Sequence, residues 1–186
     1  MVLRGTQGVN QEWANEAVDS RYVDWSVATA IIYLPGTEPM VDKLMISNLT
    51  CEAHARGVRL IVNTPGFQQG APGNMQQLAN ATARSEFTDY VTAYVKSQGI
   101  DGVLPDIEGF QGPASPSPHN ASSPNWYANA TMTRFMKEIK AAIGPSRVLM
   151  FPVQTNYWDC SDDSGGGLDY TDMAEATDSL FLMACE

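Results

Sequence analysis

Residues 99–110 read GIDGVLPDIEGF, and how this stretch is read decides the fold. Asp101, Asp106 and Glu108 fall within eight residues of a segment whose Ile, Val and Leu otherwise describe a buried β-strand. Carboxylates are costly in such a place unless they are paired or put to use. Side chains two apart on a strand share a face, so Leu104, Asp106 and Glu108 form one row. Two carboxylates held together in a partly dry site repel, which raises one pKa and leaves the other low; such a pair supplies a general acid near neutral pH. A plainer reading fits the spacing equally well, with Asp106 and Glu108 marking the fraying strand end and capping the next loop. A third would be a weakly held Mg or Ca, since only oxygen donors stand nearby. His54 and His119 read as solvated residues of a helix and a loop, and no metal site is assigned.

Outward from that strand, short β-like apolar runs alternate with helical periods, the signature of β/α units around a parallel sheet. VATAIIYL (27–34) is a continuous apolar run ended by Pro35-Gly36, and VRLIVNTPGF (58–67) repeats the design. RVLMFPV (147–153) and SLFLMACE (179–186) complete a count of five strands. Between them, residues 39–56 show helical spacing, and a stripe of Phe87, Tyr90, Val91, Tyr94 and Val95 predicts a helix closed by Gly99. Further helices are expected over 125–143 and 170–177, with a Pro/Ser-rich loop at 112–124 and a polar loop at 159–167. Five alternating strands suit either an open doubly wound sheet or most of an eight-stranded barrel. No glycine-rich phosphate fingerprint follows a strand, because Gly165-Gly166-Gly167 lies in a loop. In both architectures ligands bind at the carboxyl ends of the strands, where Asp106 and Glu108 fall.

The chain has 186 residues, 44% hydrophobic and 17% charged, which suits a packed core rather than disorder. A net charge of -10 argues against nucleic acid, whose phosphates need clustered Lys and Arg. No apolar run is long enough to span a membrane, and the opening MVLRGTQGVN lacks the apolar core of a signal peptide. Against that stand four N-glycosylation sequons, at Asn48, Asn80, Asn120 and Asn129. Together with three cysteines, an odd set, they point to a secretory or lysosomal protein of which this chain is a part. Asn129 would lie near the apolar edge of its helix. Phe67, Tyr157 and Trp158, after the third and fifth strands, are candidate stacking platforms for a ligand, with Gln154 and Asn156 as hydrogen-bonding candidates; each aromatic is more often core than platform.

DGVLPDIE (101–108) resembles the signature of glycoside hydrolase family 18, in which Asp-x-x-Asp-x-Asp-x-Glu ends the fourth strand of a (β/α)8 barrel. DWSVATAIIYL (24–34), LTCEAHARGVRLIV (49–62) and DYTDMAEATDSLFLMACE (169–186) look like the second strand, the helix with the third strand, and the approach to the sixth strand of the chitobiase branch. The resemblance implies an α/β fold, a partial (β/α)8 TIM barrel with strands 2 to 6 and their helices. Residues 1–186 would then be an incomplete catalytic domain, with the first strand and the last two units absent. It implies a glycosidase acting on β-linked N-acetylglucosamine in chitobiose, chitin-type or N-glycan-derived oligosaccharides, lysosomal or extracellular, with no cofactor. Glu108 would protonate the departing oxygen, Asp106 would hold the substrate's acetamido group, and Asp101 would support the strand end. Met183, Cys185 and Glu186 take the places of the family's Met-x-Tyr-Asp at the sixth strand, so Cys185 stands for Tyr and Glu186 for Asp. Leu104 stands where the family has Asp. A non-catalytic, carbohydrate-binding relative is the alternative these departures leave open, and the sequence sets no oligomeric state.

Overall fold

A strand that is apolar at every position needs cover on both faces, and the sheet meets that need with two different cores. The computed structural model describes residues 2–4, 24–34, 43–64, 80–105, 124–154 and 170–183. The chain runs β1 (Val2–Arg4), β2 (Ala30–Leu34), α1 (Lys43–His54), β3 (Arg59–Asn63), α2 (Ala81–Gln98), β4 (Gly102–Leu104), α3 (Pro124–Ile143), β5 (Val148–Gln154), α4 (Tyr170–Ala176) and β6 (Ser179–Met183).

Every described strand pairs parallel with its sequence neighbour, in the order β1-β2-β3-β4-β5-β6. Outward from the sheet, Ile31, Tyr33, Leu60, Val62, Val103, Leu149, Phe151 and Val153 form one core with residues of all four helices. On the other face Ile32, Ile61 and Leu104 make a small second cluster, flanked by Ala30, Val148, Met150 and Phe181. Unbroken sequential order with all the described helices on one face is barrel geometry. A doubly wound sheet reverses its strand order and carries helices on both faces. The two architectures that spacing left open are thereby separated, and the fold is α/β, a partial (β/α)8 barrel.

The sheet also corrects one expectation. The first strand is not absent: Val2–Arg4 pairs in register with Ile32–Leu34 ahead of the five strands read from the sequence. Three residues are too few to show an apolar run or an alternation, so the pattern could not reveal it. Boundaries shift as well. Among the described residues of 99–110, Gly102–Leu104 form β4, and Pro105 follows its last residue, where the missing N–H costs no described ladder bond.

The helices show why they form where they do. α2 begins six residues before its apolar stripe, because Asn80 caps it, accepting from the N–H groups of Thr82 at 2.9 Å and Ala83 at 3.4 Å. Gly99, at φ 64°, ends it in the left-handed conformation that glycine adopts without penalty. Along α3, Met132, Phe135, Met136, Ile139 and Ile143 turn inward as expected. α2 and α3 meet through Phe87 and Phe135, ring centroids 5.3 Å apart. They meet again through Arg84, whose buried guanidinium reaches Glu138 at 2.8 Å.

Two measurements check this packing. A Cβ added at Gly102 would collide with the Val148 backbone carbonyl on the next strand. Gly102→Ala should therefore lower unfolding free energy by about 1–3 kcal/mol, seen as an earlier denaturant midpoint. Tyr33 and Tyr94 face the helix-side core, and desolvation pushes the Tyr33 phenol up to about 12 and raises Tyr94, with Tyr90 and Tyr33 adding to the latter. Unfolded phenols ionise near pH 10, so the stability these neutral groups confer is complete below that pH and is lost as pH rises towards 12. Melting temperature should fall over that window, and Tyr33→Phe should flatten the fall.

Candidate functional site at the strand carboxyl ends

Each parallel strand has two ends of different character, and the described polar groups divide between them. At the amino end, Asp101 stands one residue ahead of β4. Its N–H donates to the Leu60 carbonyl at 2.9 Å, and its Oδ2 accepts from the Leu60 N–H at 2.8 Å. His54 Nε2, on the last residue of α1, lies 2.7 Å from that same oxygen. Asp178, one residue ahead of β6, repeats the arrangement. Its N–H donates to the Leu149 carbonyl and its Oδ2 accepts from the Leu149 N–H, both at 2.8 Å, while Lys140 Nζ of α3 reaches Oδ2 at 2.7 Å. Each carboxylate clasp joins a helix, the strand after it and the next strand. Backbone donors near the strand starts are satisfied by a carboxylate, and the same carboxylate oxygen meets a His or Lys side chain from the outer layer.

This placement revises the reading of Asp101 and His54. Three residues of strand, roughly 10 Å, separate Asp101 from Leu104, and its carboxylate serves the amino end of the sheet. His54 is exposed, yet it is engaged rather than merely solvated. In barrels the amino end carries stability and the carboxyl end carries chemistry.

At the carboxyl end, β4 delivers Leu104, 1% exposed, to the inner cluster beside Ile32 and Ile61. The inward row therefore begins with a hydrocarbon, where the resemblance led one to look for a carboxylate. Beside it, β3 ends in Asn63 and is followed by Thr64, 7% and 3% exposed, and the Thr64 N–H donates to the Leu104 carbonyl at 3.2 Å. The Thr64 hydroxyl is buried with no hydrogen-bond partner among the described residues, and a buried polar group left so is costly. Neither residue was among the sequence candidates. The available signal was the change from RLIV to Asn-Thr at the strand end, which Phe67 overshadowed. Gln154 and Met183, the last residues of β5 and β6, are register partners, so those two candidates are brought together. Asp106, Glu108, Asn156, Trp158, Cys185 and Glu186 lie outside the described residues, as do Phe67, Tyr157, His119 and Asn120.

A cavity of about 590 Å³ opens on the inner face, with Ile32, Ile61, Val148 and Met150 as its apolar floor and Arg59 and Asp178 at its rim. It lies towards the amino ends, away from the expected chemistry. Layers of side chains fill such space in a closed barrel, so the site is placed at the carboxyl ends instead. Among the described residues no group of three His, Cys, Asp or Glu could hold a metal ion, and no helix is long and apolar enough to cross a membrane.

With this geometry in hand, the sheet can be set beside solved structures. A chitinase from Rhizomucor miehei superposes with a TM-score of 0.63 at 20% identity, over 88% of this chain and 53% of that one. A chitinase from Bacteroides thetaiotaomicron gives 0.65 at 15% identity, over 98% and 52%. The protein YKL-39, solved in the presence of chitooligosaccharides, gives 0.60 at 14% identity, over 98% and 50%. The fold is shared with chitinases. At such identities the likeness concerns the fold, and the chain spans about half the length of the structures it matches. No family model and no curated protein matches the sequence.

The clasps make a direct prediction. Asp101→Ala and Asp178→Ala each leave a strand N–H without its acceptor, so each should cost about 1–3 kcal/mol in denaturant unfolding. Asp101→Asn should cost less, because the amide oxygen still accepts from Leu60.

Proposed function

We propose that the chain is part of a chitinase-like glycosidase that hydrolyses β-linked N-acetylglucosamine in chitobiose, chitin-type or N-glycan-derived oligosaccharides. The observation that carries the proposal is the position of Asp106-Ile107-Glu108. In the sequence it comes after Pro105, one residue beyond the inward-facing Leu104 that ends β4, in a half-barrel whose solved counterparts include chitinases. A structural neighbour solved with chitooligosaccharides supports the ligand class. The net charge of -10 suits a neutral sugar better than a polyanion.

In this reading Glu108 donates its proton to the departing glycosidic oxygen. The carbonyl oxygen of the substrate's own 2-acetamido group attacks the anomeric carbon, giving an oxazolinium-like intermediate that water opens with net retention. Asp106 holds the acetamido group for that attack. Gln154 and Met183, with Asn156, Trp158, Cys185 and Glu186, line the sugar subsites. The finer likeness is to di-N-acetylchitobiase, and the compartment is the lysosome or the extracellular space. Leu104 removes one carboxylate from the inward row, leaving Asp106 to orient the acetamido group without it.

The test is release of N-acetylglucosamine from di-N-acetylchitobiose by the full-length gene product. Glu108→Gln should lower kcat by roughly 10²–10⁴-fold, and an analogue lacking the 2-acetamido group should not be cleaved. Cleavage of that analogue would remove substrate assistance. Binding of chitooligosaccharide with no turnover in the parent protein would replace the enzyme by a carbohydrate-binding relative.

A further inference from the structure

The four sequons match one acceptor pattern in the sequence, where only Asn129 stands apart by its predicted place near the apolar edge of a helix, and the fold separates them further. Asn48 and Thr50 both lie within α1, where residues two apart point away from one another; Asn48 is exposed, while Thr50 is 6% exposed. Asn129 and Thr131 share that spacing within the backbone of α3, and Asn120 lies outside the described residues. Asn80 differs. It precedes α2 with extended backbone, φ -78° and ψ 115°, and both Asn80 and Thr82 are exposed. The two hydrogen bonds that make Asn80 the helix cap, from the Thr82 and Ala83 N–H groups, end on Oδ1. Neither engages Nδ2, the atom to which an N-linked sugar attaches.

From these observations we infer that Asn80 is a site of N-linked glycosylation, modified on Nδ2 while Oδ1 goes on capping α2. The donor is a glycosyl pyrophosphate. Its anomeric C–O bond breaks and the pyrophosphate leaves with the electron pair, a bond forms from that carbon to Nδ2, and one Nδ2 proton passes to a base. No oxidant or reductant is involved. Because the acceptor oxygen is untouched, the modification leaves the helix cap in place. A glycan on an exposed position ahead of the helix is also accommodated without moving the core. The inference is independent of any hydrolytic activity.

The test expresses the full chain behind a secretory leader in N-glycosylating cells and analyses both lysate and medium. Amidase release in heavy-oxygen water should convert residue 80 to labelled Asp, as read by peptide mass mapping. Thr82→Ala and Asn80→Asp should each remove one glycan's worth of gel mobility. Asn80→Asp should also keep the parent's melting temperature, because aspartate caps as well as asparagine. Residue 80 unlabelled, whether another sequon in the same molecules is labelled or none is, overturns the inference. So does a mobility step that persists in Thr82→Ala.

Discussion

Between Ile31 and Ile32 the strand sends consecutive side chains to opposite faces, and those faces meet unequal surroundings. Ile31 joins a core built with four helices, whereas Ile32 joins a cluster of three buried residues on the concave side. The remaining architecture depends on this inequality. A parallel sheet covered by helices on one side curves around the other, and a curved sheet with sequential neighbours gathers its carboxyl ends towards one mouth. Asn63, at the carboxyl end of β3 and in alternation with the inward-facing Ile61, then faces that shared space rather than a separate stretch of solvent.

Much of this was legible because burial writes itself into local pattern. The unbroken run through Ala30–Leu34, the stripe on α3 and the stop at Gly99 each follow from a rule that spans a few residues. What escaped was either too short or too distant. β1 has three residues and no pattern to display. The start of α2 was hidden because ATARSE carries no apolar stripe, and Asn80 announced itself as a sequon rather than as a cap. The pairing of His54 with Asp101 crosses 47 residues, a separation at which only the folded chain brings the groups together.

The candidate site was legible in a different way. Asp101, Asp106 and Glu108 look like one constellation in the sequence because they are close along the chain. The fold sets Asp101 at the amino end of β4, whereas Asp106 and Glu108 come along the chain after Leu104, the last residue of that strand. Asp101 belongs to the amino-end fastening, and Leu104 joins the inner cluster. Acidic residues close along the chain are therefore not one constellation by that fact alone, because a carboxylate where the strand enters the sheet serves to fasten it.

The two clasps share no residue. One binds α1, β3 and β4 through Asp101, the other α3, β5 and β6 through Asp178, and each closes over a modest length of chain. Either can therefore form while the other is still open, because neither loop closure waits on the other's entropy. The β3–β4 and β5–β6 parts of the sheet can then form as two prefabricated pairs, with the close approach of Gly102 to Val148 as the seam at which they meet.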